Sequence, residues 1–196
     1  MLMNNELDII TQIRGKVESG REPTGENLFL VWGYPTVIVL LIEFIVAMNG
    51  HGDWCEWLWI CIPLIGAPLM AYYLKKDYER TGHRTLDANI ALQMWLFVSF
   101  CSCIGGFSLG ITGIFEIAYC AFQGLLIGVG CYVTGVILRF HPMMVCGAIG
   151  AVVSFSSLFF QGHLWPWQLL IAAIVAVINL IIPGHMFRNK VKSHGI

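Results

Sequence analysis

Long apolar runs separated by short polar ones set the pattern of this chain. Hydrophobic residues dominate six stretches, at 28–48, 56–75, 90–112, 115–138, 142–160 and 164–183. Each is close to the ~20 residues an α-helix needs to cross ~30 Å of hydrocarbon. A closed barrel, the other way to satisfy a backbone in lipid, needs short segments of alternating polarity. Runs such as 169–180 (LLIAAIVAVINL) do not alternate. The pattern therefore predicts an all-α polytopic membrane protein with six transmembrane helices.

A different periodicity precedes the first run. Leu7, Ile10, Ile13 and Val17 recur every third or fourth residue over 4–18, with Glu6, Asp8, Arg14 and Lys16 elsewhere on the wheel. This predicts a short cytoplasmic amphipathic helix ended by Gly20, Pro23 and Gly25. Such a helix lies on the inner membrane face, or docks a cytoplasmic regulatory protein or a second copy of the chain. The expected organisation is an N-terminal segment (1–27), a six-helix transmembrane bundle (28–185) and a basic cytoplasmic tail (186–196).

Composition supports the membrane class. Of the 196 residues, 57% are hydrophobic and 12% charged, whereas soluble domains carry about a quarter charged residues. The net charge of −1 decides nothing, but its distribution does. Arg14, Lys16 and Arg21 precede the first run; Lys75, Lys76, Arg80 and Arg84 fall in the polar break 75–89. Arg139 lies between the fourth and fifth runs, and Arg188, Lys190 and Lys192 follow the sixth. The other connections hold no Lys or Arg. The positive-inside rule then puts both termini and the 75–89 segment in the cytoplasm. Six crossings also require both ends on one side. Trp54, Trp57, Trp59, Trp165 and Trp167 gather at the opposite, outer interface, with Trp32 and Trp95 nearer the inner one, as an aromatic belt would. The N-terminus lacks the pattern of a signal peptide.

Polar residues within the runs are the candidate chemistry. Glu116, Cys120, Gln123, Gly130 and Thr134 share one face of the fourth run, flanked by Tyr119. Gly147, Gly150, Ser154, Ser157 and Gln161 do so in the fifth, and Gln168, Ala172 and Asn179 in the sixth. These stripes are expected to face other helices, either as a packing seam or as the lining of a hydrated cavity with Ser154, Ser157, Gln161 and Asn179 in its wall. Glu43 and Glu116 are acids at or inside the outer hydrocarbon boundary. With Gln123 they are candidates for binding a proton or cation. The structural alternative caps the fourth helix with Glu116 and lets Glu43 snorkel.

Other motifs carry less. Six cysteines (Cys61, Cys101, Cys103, Cys120, Cys131 and Cys146) lie inside the runs and Cys55 outside, with no CxxC, so small apolar fillers are expected. His51, Asp53, Glu56 and His163 share a side but fit no metal-ligand spacing, and all six histidines lie at run ends or in tails, which disfavours haem. No cofactor, metal site or direct nucleic-acid partner is expected. The GFSLG run (106–110) matches a nucleophile elbow, but that motif needs a strand-to-helix turn, and small residues at 106 and 110 suit helix packing. Pro63 and Pro68 predict a kink in the second helix. Pro183 and Gly184 predict a stop for the sixth.

The runs LRFHP (138–142) and IIPGHM (181–186), with the basic tail, resemble an uncharacterised family of small bacterial six-span integral membrane proteins. The resemblance covers most of the chain, and members of that family look as though they often occur beside genes for winged-helix regulators. The resemblance implies a bacterial inner-membrane location and a membrane partner in signalling or envelope stress, with no assigned activity. Two functions follow as expectations: a non-enzymatic sensor or regulatory membrane partner, and a small proton- or cation-coupled carrier or channel using Glu43 and Glu116. An intramembrane enzyme is disfavoured, because no nucleophile, base and orienter assemble.

Overall fold

The computed structural model describes residues 27–51, 58–81, 86–112 and 115–194. The 4–18 helix, Trp54, Cys55, Trp57, Asp53 and Glu56 therefore lie outside the described residues. What is described is all-α. Its helices are α1 (Leu28–Met48), α2 (Cys61–Thr81), α3 (Leu86–Thr112), α4 (Phe115–Ile137), α5 (His141–Ser154), α6 (Pro166–Ala176) and α7 (Ile182–His194). A 3-10 turn, Phe155–Phe159, prolongs α5, and a π turn, Val177–Ile181, joins α6 directly to α7.

Among the described residues, five helical stretches are long and apolar enough to cross a membrane: Leu28–Met48, Leu86–Gly105, Tyr119–Ile137, His141–Phe159 and Pro166–Val191. The second predicted span falls short of that class because its helix is displaced along the chain. α2 begins at Cys61 and runs on through Lys75, Lys76, Asp77 and Glu79 to Thr81. Its apolar part, 61–74, rises only about 21 Å at ~1.5 Å per residue. The polar break is thus mostly helical. Good helix formers keep the turn going outside the apolar run, and Lys75 lies 3.9 Å from Glu79 one turn on. Pro63 falls in the first turn of α2, where its missing N–H costs no helical bond, and the helix continues through Pro68.

The sixth predicted span ends differently from expectation. Pro183 and Gly184 do not stop the helix, which continues to His194. Proline in a helix lacks a donor and crowds the carbonyl four residues back, here that of Asn179. The π turn relieves this: Ile182 bonds back to the Val177 carbonyl, five residues away, widening the helix just before the ring. Gly184 then serves contact, because a Cβ there would sit 2.8 Å from Leu30 Cδ2 and 3.0 Å from Phe29 Cβ.

Two clusters mark the ends of the bundle. At the near end, where α1 begins and α7 finishes, Phe29, Cys131, Phe140, Met143, Leu180 and Phe187 pack together with Trp95 against them. At the far end Leu40, Ala47, Cys120, Leu169 and Ala173 form a second cluster edged by Trp59, Tyr119 and Trp165. Trp167 meets Phe44 edge-on there at 5.5 Å. The expected split of the tryptophans between two ends is therefore present for the described ones. Trp32 fixes α2 to α1: its ring occupies the space beside Gly66, and its Nε1 donates to Met70 Sδ at 3.3 Å.

The closest packing joins α4 to α5. A Cβ at Gly147 would lie 2.4 Å from the Tyr132 backbone nitrogen, and one at Gly128 would lie 2.7 Å from that of Ala151. Only glycine lets two backbones approach so far. The turn between them closes at Arg139, with φ +51°. Phe140 N donates to Gly135 O at 2.8 Å and Arg139 N to Val136 O at 3.2 Å, the paired bonds of a Schellman ending.

Candidate functional site

Glu43 lies on the buried stripe of α1. Thr36, Leu40, Glu43 and Ala47 recur every three or four residues and are buried, as is Val39 beside Leu40, while Ile38, Leu41, Ile42, Ile45 and Met48 are exposed. Glu43 itself has no exposed surface (0%). It sits among Leu40 and Ala47 of its own helix, and its carboxyl interacts electrostatically with Tyr119 and Cys120 of α4.

A polar track continues from there. Tyr119 is hydrogen-bonded to Gln123 one turn on. Gln123 Oε1 accepts from Ser102 Oγ of α3, and Gln123 Nε2 donates to the Ser102 carbonyl at 3.3 Å. Tyr119, Gln123 and Ser102 thus form a hydrogen-bonded run from α4 to α3, which Glu43 of α1 joins through its electrostatic influence on Tyr119. Of the sequence candidates, Glu43 and Gln123 belong to this track. Glu116 falls on the first turn of α4, and its side chain is outside the described set. Ser102 was not foreseen, because it is one of several hydroxyl residues in the run of α3, with Ser99, Ser108 and Thr112.

The polar stripe of α5 and α6 makes a different structure. Ser154 and Ser157 are buried (1% each) and donate to carbonyls of their own helix, Ala151 O at 2.7 Å and Ser154 O at 2.8 Å. A Cβ at Gly124 of α4 would lie 2.5 Å from Ser154 Cβ, so that contact is already closed. Asn179, fully buried in the π turn, lays its amide on Gly150, where a Cβ would lie 2.1 Å from its Oδ1. Neither amide atom of Asn179 hydrogen-bonds to a described residue. Gln168 donates to Phe160 O, holding the end of α5 to the start of α6. Gln161 is exposed and donates to Leu158 O at 2.9 Å. Ser154, Ser157 and Asn179 therefore line a closely packed seam, and Gln161 lies outside it.

The remaining motifs resolve simply. Residues 106–110 lie in unbroken helix, not on the strand-to-helix turn a nucleophile elbow requires. Cys120 and Cys131 are buried fillers; Cys131 Sγ donates to Met143 O at 3.4 Å. His51 and His163 are exposed. Comparison with protein-family models, curated protein sequences and solved structures gives no match to this chain.

Proposed function

We propose that the chain is a non-enzymatic sensor or regulatory protein of the bacterial inner membrane, whose responsive element is Glu43. On this reading it has six crossings, with both ends and the 75–89 segment in the cytoplasm. α2, preceded by the apolar residues Leu58, Trp59 and Ile60, supplies the sixth crossing. The distribution of all eleven basic residues supports this orientation, as does the resemblance to small bacterial six-span proteins. So does the lining of one near-end cleft by Asn27, Tyr73 and Arg188 together.

The observation that carries the reading is Glu43 at 0% exposure, beside a seam closed at Gly124, Ser154, Gly150 and Asn179. An ionisable group at such depth marks function by default. A packed seam favours a change of state over passage of a solute. Binding or release of a proton at Glu43 would alter how α1 seats on α6. α1 meets α2 and α7 at the near end, so the change would be read on the cytoplasmic face by a regulatory partner.

The test uses the full chain in proteoliposomes. Chemical labelling of Lys75 and Lys76, normalised at each pH to a free lysine amide in the same buffer, is expected to differ between mildly acid and mildly alkaline buffer in the wild type and to lose that difference in Glu43→Gln. Equal labelling in both proteins contradicts the reading. A second reading, a proton- or cation-coupled carrier using Glu43 and Glu116, is favoured by the track through Tyr119, Gln123 and Ser102. Proton-driven uptake by the wild type, abolished in Glu43→Gln, would establish it instead.

A further inference from the structure

Away from Glu43, the described residues form a cleft of about 430 Å³ between α1, α2 and α7. Leu30, Ile38 and Val39 of α1 and Ile65 and Leu69 of α2 give it apolar walls. Its polar groups, Tyr34, Tyr73, His185 and Arg188, gather towards the near end. Along α1 the lining extends from Asn27 to Val39, about 18 Å at ~1.5 Å per residue. That is close to the depth of one leaflet, half of a ~30 Å core.

The polar rim is built. Tyr34 Oη and His185 Nε2 lie 2.7 Å apart and join α1 to α7. Arg188 brings its guanidinium to the same rim, where its Nε is buried and makes no hydrogen bond to a described residue. A buried guanidinium donor without an acceptor is costly. The acceptor that matches its fork is a carboxylate or a phosphate. Lys76 follows Tyr73 by three residues and Lys190 follows Arg188 by two, which adds cations beside Arg188 at this end of the cleft, while Lys75 is paired with Glu79 at 3.9 Å.

We propose that the cleft binds an anionic phospholipid, with one acyl chain along the α1–α2 wall and the phosphate at Arg188 beside His185 and Tyr73. Apolar walls one leaflet deep select a lipid over a soluble phosphate. The cluster of cations selects a lipid with net negative charge over a zwitterionic one, as basic pockets between transmembrane helices do elsewhere. The inference needs only that the bundle is in a membrane, and it does not depend on Glu43.

Native mass spectrometry of the detergent-purified full chain, titrated with phosphatidylglycerol or phosphatidylcholine, tests it. Phosphatidylglycerol is expected to bind at least about tenfold more tightly, and Arg188→Gln to lose about that factor, as removal of one charge-assisted hydrogen bond does. Lys75→Gln, outside the cleft lining and at a lysine already paired with Glu79, is expected to keep the preference. Ile65→Trp, which fills the wall from its exposed side, should weaken binding even if Arg188→Gln does not fold. Equal binding of the two lipids, an unchanged preference in Arg188→Gln, or unchanged binding in Ile65→Trp overturns the proposal. So does full displacement by an equal concentration of inorganic phosphate, which would make the rim a phosphate site and not a lipid site.

Discussion

Gly150 and Asn179 show how single residues decide whether a polar stripe holds water or closes. The Asn179 amide fills the space a Cβ at Gly150 would need, so the pair must change together. Gly150→Ala alone is expected to cost about 1–3 kcal/mol, the usual penalty of overpacking. Asn179→Ala in the same background should restore part of that loss, giving a favourable coupling in a double-mutant cycle read by thermal unfolding in detergent. Strict additivity would mean that the two side chains do not compete for one space. The sequence marked both residues as interior, because polar and small residues in an apolar run avoid lipid. It did not show that they touch, since a stripe of glycines and hydroxyls suits a seam and a cavity equally. Glu43 was legible for the same reason. Every neighbour on α1 is apolar, so only Thr36 and Glu43 reveal the buried face.

At the scale of the element, helix ends were least legible. Arg139 occupies the left-handed position that closes α4, at φ +51°, where glycine or asparagine costs less. A basic residue there makes sense if its charge keeps this turn on the cationic side. Arg139→Gly is therefore expected to raise thermal stability, by up to about 1 kcal/mol after the entropy glycine adds to the unfolded chain. A clear loss of stability would show that the side chain contributes more by contact than its backbone costs. Pro183 and Gly184 misled for a related reason. Local rules treat the pair as a stop, but the π turn absorbs the proline and Gly184 admits Leu30 and Phe29. Such a widened turn depends on what packs against the helix, and no pattern of residues along the chain encodes it. The same holds for α2: hydropathy gave an apolar run at 56–75, while the helix itself occupies Cys61–Thr81.

Over the whole molecule, the class and the grouping of the ends were readable from where cations gather, and the helix-to-helix contacts were not. Phe29, Phe140 and Phe187 meet at the near end, and Tyr73 and Arg188 share its cleft, so among the described residues the surroundings of Lys75, Arg139 and Arg188 lie at one end of the bundle. The account rests on that end facing the cytoplasm. The most direct test places single cysteines at Glu79, Arg139 and His163 in a background without the native cysteines, then labels them with a membrane-impermeant maleimide in vesicles of both orientations. Glu79→Cys and Arg139→Cys are predicted to react only in inside-out vesicles and His163→Cys only in right-side-out ones. Labelling of Glu79→Cys and His163→Cys from the same side would contradict it.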